Sequence, residues 1–477
     1  MRLSAFFFAL FCVFSFTGSV VVAQDHHQQR YFQPADPLVQ AKLAEWQDMK
    51  FGLLVHWGPY SQWGVVESWS LCPEDEGWCV RRGPYSKDYY AYKKAYEDLQ
   101  KTFNPRQFAP EKWAKAAKAA GMKYMVFTTK HHDGFCMFNA PNTPYKITNV
   151  LCPFSTHPRA DVTAEVFKAF RAEGLWAGAY FSKPDWHCPD YWDPYFPPYD
   201  RNPNYNLKKY PEKWKDFQAF TYDQILTLMR DYGQVDILWL DGGWVQPMTP
   251  TSPRWGYAPV HQELNMDSLA LLARQYQPGL IVVDRAVEGP NQNYLTPEQQ
   301  VPDAPLPYPW ETCMTMANSW SYVPGDQYKS TRTLVHNLAK IVSRGGNYLL
   351  NIAPGPDGAW DSVAYQRLSE IGQWMDINGQ AIYATRPIPP FQQDKWVFTQ
   401  GKDGAIYAIY LGAEGEKSPP MAFSLPRWKR PARSVELLGT PGMKYSVRQQ
   451  TDGSAEVLAL SKMMPPEQVA WVFKIVF

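Results

Sequence analysis

The sequence has almost no net charge to offer a partner. Its 47 basic and 46 acidic residues leave a formal charge of +1, which removes the electrostatic basis for binding nucleic acid or an anionic surface. Its seven cysteines include no CxxC pair and no Cys/His spacing that would build a zinc site. Internal repeats and low-complexity tracts are absent, which excludes a repeat array. Long apolar runs are absent beyond the start of the chain, so the remainder holds no membrane span. The start itself has the pattern of a secretory signal peptide. Arg2 is positive, Ala5 to Phe16 are largely apolar, and Val21-Val22-Ala23 is a small-residue cleavage site. The apolar run is short for a bilayer and is followed at once by polar residues 24–30, which argues against an uncleaved anchor. Residues 1–23 are therefore expected to be removed near Ala23 and the protein to be exported, periplasmic or secreted.

What the sequence has in excess is aromatic side chains: 20 Trp, 29 Tyr and 25 Phe, 16% of the chain. Such richness suits stacking on sugar faces, although large cores also use it. Once Cys12 leaves with the signal, Cys72, Cys79, Cys136, Cys152, Cys188 and Cys313 remain. Cys72 and Cys79 bracket a polar loop, residues 73–78, and are candidates for a local disulfide in an oxidising compartment.

The middle of the chain alternates apolar runs with amphipathic helices. Strands are expected at 51–55, 124–128, 176–181, 235–240, 280–283 and 347–352, and helices at 110–120, 162–173, 214–232, 266–276, 328–343 and 362–378. Strand then helix, repeated over about 350 residues, predicts a parallel sheet with right-handed crossovers, and at this length a distorted (β/α)8-like, TIM-type barrel rather than an open sheet. Residues 24–39 read as a polar lead-in. The pattern changes near Ala384, where Arg386-Pro387-Ile388-Pro389-Pro390 reads as a linker. Short strands at 395–400, 404–411, 434–438 and 469–477 then predict a small all-β sandwich. The expected division is 1–23 signal peptide, 24–385 barrel and 386–477 β-sandwich. Long aromatic or Pro-rich loops at 189–211 and 245–262 would wall a site.

The organising stretch is Val235-Asp236-Ile237-Leu238-Trp239-Leu240-Asp241-Gly242-Gly243-Trp244. Its apolar run does not alternate, as expected of a strand covered on both faces. Asp241 stands where the run stops, a common address for catalysis in α/β barrels; an Asp that merely caps the next turn is the alternative. The same strand ends carry His56-Trp57, Lys130-His131-His132-Asp133, Asp185-Trp186 and Asp284-Arg285, which together describe a polar pocket with aromatic walls. His131 and His132 read as groups that hydrogen-bond ligand hydroxyls, with structural core histidines the alternative; metal ligation is disfavoured because adjacent residues usually point apart and no helper spacing such as HExxH is present. A retaining glycosidase needs two carboxyl groups, one ionised and one protonated. Asp241 is the candidate nucleophile, and later loops supply Glu298 and Glu311 as candidate acids.

Four motifs in order, Phe51-Gly52-Leu53-Leu54-Val55-His56-Trp57-Gly58, Thr128-Thr129-Lys130-His131-His132-Asp133-Gly134-Phe135, Leu238-Trp239-Leu240-Asp241-Gly242 and Gly345-Gly346-Asn347-Tyr348-Leu349-Leu350-Asn351-Ile352, closely resemble the α-L-fucosidases of glycoside hydrolase family 29. The resemblance spans roughly residues 40–385. It implies a distorted barrel with a C-terminal β-sandwich and hydrolysis of terminal α-L-fucosides with retention. By that resemblance Asp241 is the nucleophile, His56, His131 and His132 hold fucose hydroxyls, and Tyr180, Trp239 and Arg285 contact the sugar. The Thr-Pro-Glu segment matches the acid/base position, favouring Glu298 and leaving Glu311 as a substrate or supporting carboxylate. Many members carry Gly-Ser-Glu-Trp where this chain has Val66-Glu67-Ser68-Trp69, so Glu67 and Trp69 enter as substrate-binding residues across a departure from the pattern. The expected partner is a fucosylated oligosaccharide or glycoconjugate, with no metal or organic cofactor. A catalytically silent fucose-binding protein, or an exo-glycosidase for a related sugar such as an α-galactoside, are the alternatives.

Overall fold

A computed structural model describes residues 30–73, 77–248, 260–461 and 463–477. The expected signal peptide and most of the loop at 245–262 lie outside the described residues. Along the chain the first part comprises α1 (Pro37–Met49), β1 (Phe51–Val55), α2 (Tyr89–Glu97), α3 (Pro110–Ala119), β2 (Tyr124–Lys130), α4 (Val162–Ala172), β3 (Trp176–Ser182) and α5 (Pro211–Asp231). It continues with β4 (Ile237–Asp241), α6 (Met266–Tyr276), β5 (Ile281–Asp284), β6 (Glu311–Thr315), α7 (Thr331–Ser343), β7 (Asn347–Asn351) and α8 (Ser362–Asn378). The seven strands form one parallel sheet in the order β5-β4-β3-β2-β1-β7-β6.

Among the described residues no regular strand takes the eighth place between β5 and β6. An irregular segment, residues 291–299, fills it. Isolated bridges tie Gln292 to Val283, Leu295 to Trp310 and Glu298 to Cys313. The expected barrel is thus distorted at one defined place.

Each strand is covered on both faces, which explains the unbroken apolar runs. Leu54, Val126, Tyr180, Trp239, Val283 and Leu349 share the cluster inside the ring. Their neighbours Leu53, Phe127, Ala179, Leu238, Val282 and Leu350 join the main core under the helices. The alternation puts Tyr180 and Trp239 side by side inside the ring, stacked with their centroids 5.3 Å apart.

Two sequence expectations are corrected here. The polar lead-in overlaps helix α1, which starts at Pro37, with the Asp36 side chain accepting from the Leu38 N–H. Polar residues face solvent, while Leu43 and Trp46 belong to the cluster inside the ring, and Trp46 stacks on Tyr294 at 4.0 Å. The supposed linker is strand β8 (Arg386–Gln393). It lies at the edge of its sheet, where a missing proline N–H removes no inner ladder bond.

After β8 come β9 (Trp396–Gln400), β10 (Ile406–Tyr410), β11 (Ala422–Leu425), β12 (Ser434–Leu437), β13 (Tyr445–Gln449), β14 (Ala455–Ala459) and β15 (Trp471–Val476). They form a five-stranded sheet, β12-β15-β10-β9-β8, and a three-stranded sheet, β11-β14-β13. Phe398, Ala408, Leu425, Val457 and Phe473 fill the space between the sheets. The period of two then turns Val397, Ile409 and Val472 to the other side, into the main core. There Trp374 of α8 donates to the Ala470 carbonyl at 2.8 Å, and His336 of α7 meets the Val469 carbonyl at 2.8 Å.

Candidate active site

Asp241 is the last residue of β4, at the C-terminal mouth of the ring. Three donors converge on its carboxylate. Tyr180 Oη donates to Oδ2 at 2.6 Å, the Gly242 N–H to Oδ1 at 2.8 Å and Arg285 Nη1 to Oδ1 at 3.2 Å. Burial opposes the charge, but Arg285, His132, Tyr180 and the Gly242 N–H hold the carboxyl well below the usual carboxylate range. Asp241 is therefore an ionised carboxylate at any working pH. Gly242 makes this turn possible. It has φ +87, and a Cβ there would lie 2.3 Å from Pro184 Cδ.

The histidines line the same mouth. His132 Nε2 lies 3.9 Å from Asp241 Oδ2, and its ring is walled by Trp69 at 5.2 Å, Trp186 at 5.2 Å and Trp244 at 5.1 Å. His131 Nδ1 shares a 2.5 Å hydrogen bond with Ser68 Oγ, and its ring stacks over Tyr180 at 5.8 Å. His56 meets Tyr180 edge-on at 5.1 Å, and its N–H donates to Asn351 at 3.2 Å. Burial lowers all three imidazoles, His56 to about 4 and His132 to about 3, so each is neutral at pH 7 and offers one donor and one acceptor. The rings of His131 and His132 do not diverge as neighbours usually do; their centroids are 4.2 Å apart. Among the described residues His131, His132 and Asp241 are the one group able to hold a metal ion by proximity. With Asp241 already engaged by a guanidinium, a phenol and a backbone N–H, the set is better suited to sugar hydroxyls than to a cation.

The three glutamates fall in three environments. Glu298 comes from the segment that fills the eighth place in the ring. Its side chain is 39% exposed and paired with Arg285 Nη2, so one guanidinium spans Asp241 and Glu298. Glu67 is buried, with φ +31 and no partner for Oε1. Burial, then the charges of Glu298 and Asp241, push it up to about 8. Glu311 is not on a mouth loop. It opens strand β6, fully buried inside the ring, where it accepts from Tyr124 Oη at 2.5 Å and Trp239 Nε1 at 3.3 Å. Burial pushes it up to about 7. It supports the indole that carries the Arg285 guanidinium, 5.1 Å above the Trp239 ring centroid.

Among the described residues, four buried polar atoms around this mouth have no hydrogen-bond partner: His56 Nδ1, His132 Nδ1, Glu67 Oε1 and Arg285 Nε. Unpaired buried groups are costly and call for an explanation. A ring of neutral imidazoles, a raised carboxyl and a guanidinium around an ionised carboxylate is a cup for a polyhydroxylated ligand.

The family model described as Alpha-L-fucosidase matches residues 19–380. The chain belongs to the alpha-L-fucosidase family. As a member of glycoside hydrolase family 29 it is a glycoside hydrolase. It is 29% identical over 472 residues to the tissue alpha-L-fucosidase of Rattus norvegicus, covering 93% of this chain and 92% of that protein. It is 30% identical over 401 residues to the tissue alpha-L-fucosidase of Bos taurus, covering 80% and 78%. In three dimensions it resembles alpha-L-fucosidase isoenzyme 1 from Paenibacillus thiaminolyticus with a TM-score of 0.72 at 27% identity, over 92% of this chain and 99% of that one.

Within this family member the mouth brings together His56, Glu67, Trp69, His131, His132, Tyr180, Trp239, Asp241, Arg285 and Glu298, and sets Glu311 beneath them. Sequence reasoning missed Ser68, which fixes the His131 ring, and Asn351, which holds the His56 backbone. Ser68 lies inside the Val66–Trp69 stretch and Asn351 inside the motif Gly345–Ile352, so the place of each was a signal although its role was not. Cys72 and Cys79 are both buried in one satellite cluster with Tyr92, Tyr96 and Trp186.

Proposed function

We propose that this chain is an exported, exo-acting α-L-fucosidase that removes terminal α-L-fucosyl residues from glycans with retention of configuration. Its leader is cleaved near Ala23. The observation that carries the reading is Asp241, held ionised at the mouth of a barrel strand by a guanidinium that also reaches Glu298. Asp241 attacks the anomeric carbon while the glycosidic bond breaks, and the Glu298 proton passes to the departing oxygen. Glu298 then takes a proton from water, whose oxygen displaces Asp241 and restores the starting configuration. Glu298 suits the acid/base role because its part-exposed carboxyl can meet both leaving group and water. His56, His131, His132, Trp69, Tyr180 and Trp239 hold the sugar, and buried, protonated Glu67 donates to a hydroxyl.

A second reading makes Glu67 the acid, because its environment is the one that keeps a carboxyl protonated at pH 7. Hydrolysis of a panel of aryl glycosides, followed by NMR of the first sugar released, tests the whole proposal. The expected result is rapid cleavage of the α-L-fucoside with the α-anomer formed first. Preference for an α-galactoside, or binding of fucose without turnover, would overturn it.

A further inference from the structure

Lys183 is fully buried one residue beyond β3. Its Nζ donates to Asp284 Oδ1 at 2.5 Å and to the Val245 carbonyl at 2.9 Å. Asp284 is the last residue of β5 and precedes Arg285. Both β3 and β5 pair with β4, the strand that carries Asp241. The Lys183–Asp284 bond therefore passes from one neighbour of β4 to the other across its C-terminal end. Backbone contacts close the same knot. The Lys183 N–H donates to the Asp241 carbonyl at 2.9 Å and the Arg285 N–H to the Leu240 carbonyl at 3.2 Å. A Cβ on Gly243 would lie 2.9 Å from the Arg285 carbonyl oxygen, so the turn after Asp241 rests on the backbone of Arg285.

We propose that Lys183 and Asp284 are positioning residues: their buried ion pair is a staple over β4 that fixes Asp241 and Arg285 relative to each other. The inference rests on the proposed roles of Asp241 and Arg285. The pair touches no substrate. It acts through the turn 242–245, which it holds by the Val245 carbonyl, and through the strand end that aims the guanidinium. A reacting group displaced by about 1 Å can cost about a hundredfold in rate, so the staple is worth far more to turnover than to the fold. Replacing a buried ion pair by neutral groups of similar size is often tolerated by stability.

The test is a double-mutant cycle on an aryl α-L-fucoside. Lys183→Met with Asp284→Asn removes both charges and leaves no unpaired buried ion. In the otherwise native protein it should lower kcat/KM about thirty- to hundredfold, chiefly through kcat, with KM within about threefold. On an Arg285→Lys background the same pair of changes should cost less than about threefold, because the group it aims is already altered. An equal loss in both backgrounds, or no loss, overturns the proposal. Should the combined variant not fold, Asp284→Asn alone keeps an acceptor for Lys183, and the same cycle with Arg285→Lys decides. Wild type and Asp241→Gly run beside them keep the questions apart. Wild type inactive on the fucoside defeats the functional reading, whereas active wild type with an additive cycle defeats only the staple.

Discussion

Replacing Glu67 by Gln isolates a mouth carboxyl that burial keeps neutral at pH 7. With its carboxyl raised to about 8, native Glu67 is protonated on the activity plateau. Above it, ionisation removes the donor and adds a negative charge beside Asp241. At about pH 9.5 only about 3% of the carboxyl remains protonated, so kcat/KM should have fallen about thirtyfold from its plateau. Gln keeps an N–H donor at nearly the same place and cannot ionise. Its plateau should be lower by the worth of one altered neutral hydrogen bond, about 0.5–1.5 kcal/mol or roughly two- to tenfold, and its profile should lack the part of the alkaline fall that Glu67 contributes. The two curves should therefore meet or cross at alkaline pH. The assay is initial rates on a nitrophenyl α-L-fucoside from about pH 4 to 10, repeated with a fucosylated oligosaccharide. A basic limb that persists unchanged in Glu67→Gln refutes the assignment of that limb. A selective collapse on the oligosaccharide would instead make Glu67 the acid.

Asp241→Gly should lose all but about a thousandth of the turnover while remaining folded, and azide should restore product as the β-fucosyl azide; more than a few per cent residual activity without azide rules out Asp241 as nucleophile. Glu298→Ala should lose about a hundredfold or more on a fucosylated oligosaccharide and much less in fucosylation by a nitrophenyl substrate, with azide then giving the α-fucosyl azide; equal losses on both substrates would refute it. The neutral histidines carry a stability signature. His56 and His132 fall from 6.5 to about 4 and about 3 on folding, so the unfolded chain binds more protons between those values and native stability declines as pH drops from about 6.5. Measured as Tm, His132→Gln should gain on wild type progressively from about pH 6 to 4, and a constant difference across that range would count against the depressed imidazole.

How much of this was legible in the sequence differs from element to element for physical reasons. Strands β1 to β5 and β7 announce themselves because burial on both faces demands uninterrupted apolar residues, and their ends are marked by the polar residues that follow. Strand β6 does not, since three of its five residues, Glu311, Thr312 and Thr315, are polar yet buried, with Cys313 turned into the ring and Met314 into the main core. Helix α1 hides because only one narrow stripe, Val39, Leu43 and Trp46, is buried. Strand β8 hides because Pro387, Pro389 and Pro390 mimic a linker and only an edge tolerates them. Asp241 was readable from its place at the end of a strand. The protonated state of Glu67 was not, because it depends on burial and on charges brought from Glu298 and Asp241. Nor could the sequence show that Lys130 and Lys183 are each buried against an aspartate from farther along the chain, Lys130 on Asp185 at 3.0 Å and Lys183 on Asp284.

The five-stranded sheet has apolar residues on both of its faces. One face closes against β11, β13 and β14, while the other lends Val397, Tyr407, Ile409 and Val472 to the same interior as the barrel helices. The two halves are therefore not beads on a string but share a hydrophobic seam, and neither can melt without wetting the other. A chain ended at Thr385 would expose α7 and α8 along that seam and should aggregate rather than survive as a smaller enzyme. Heating the intact protein should give one cooperative transition. Evolution of the loops around the mouth is then free of this constraint, while any exchange of the β-sandwich for another module would have to carry the matching face with it.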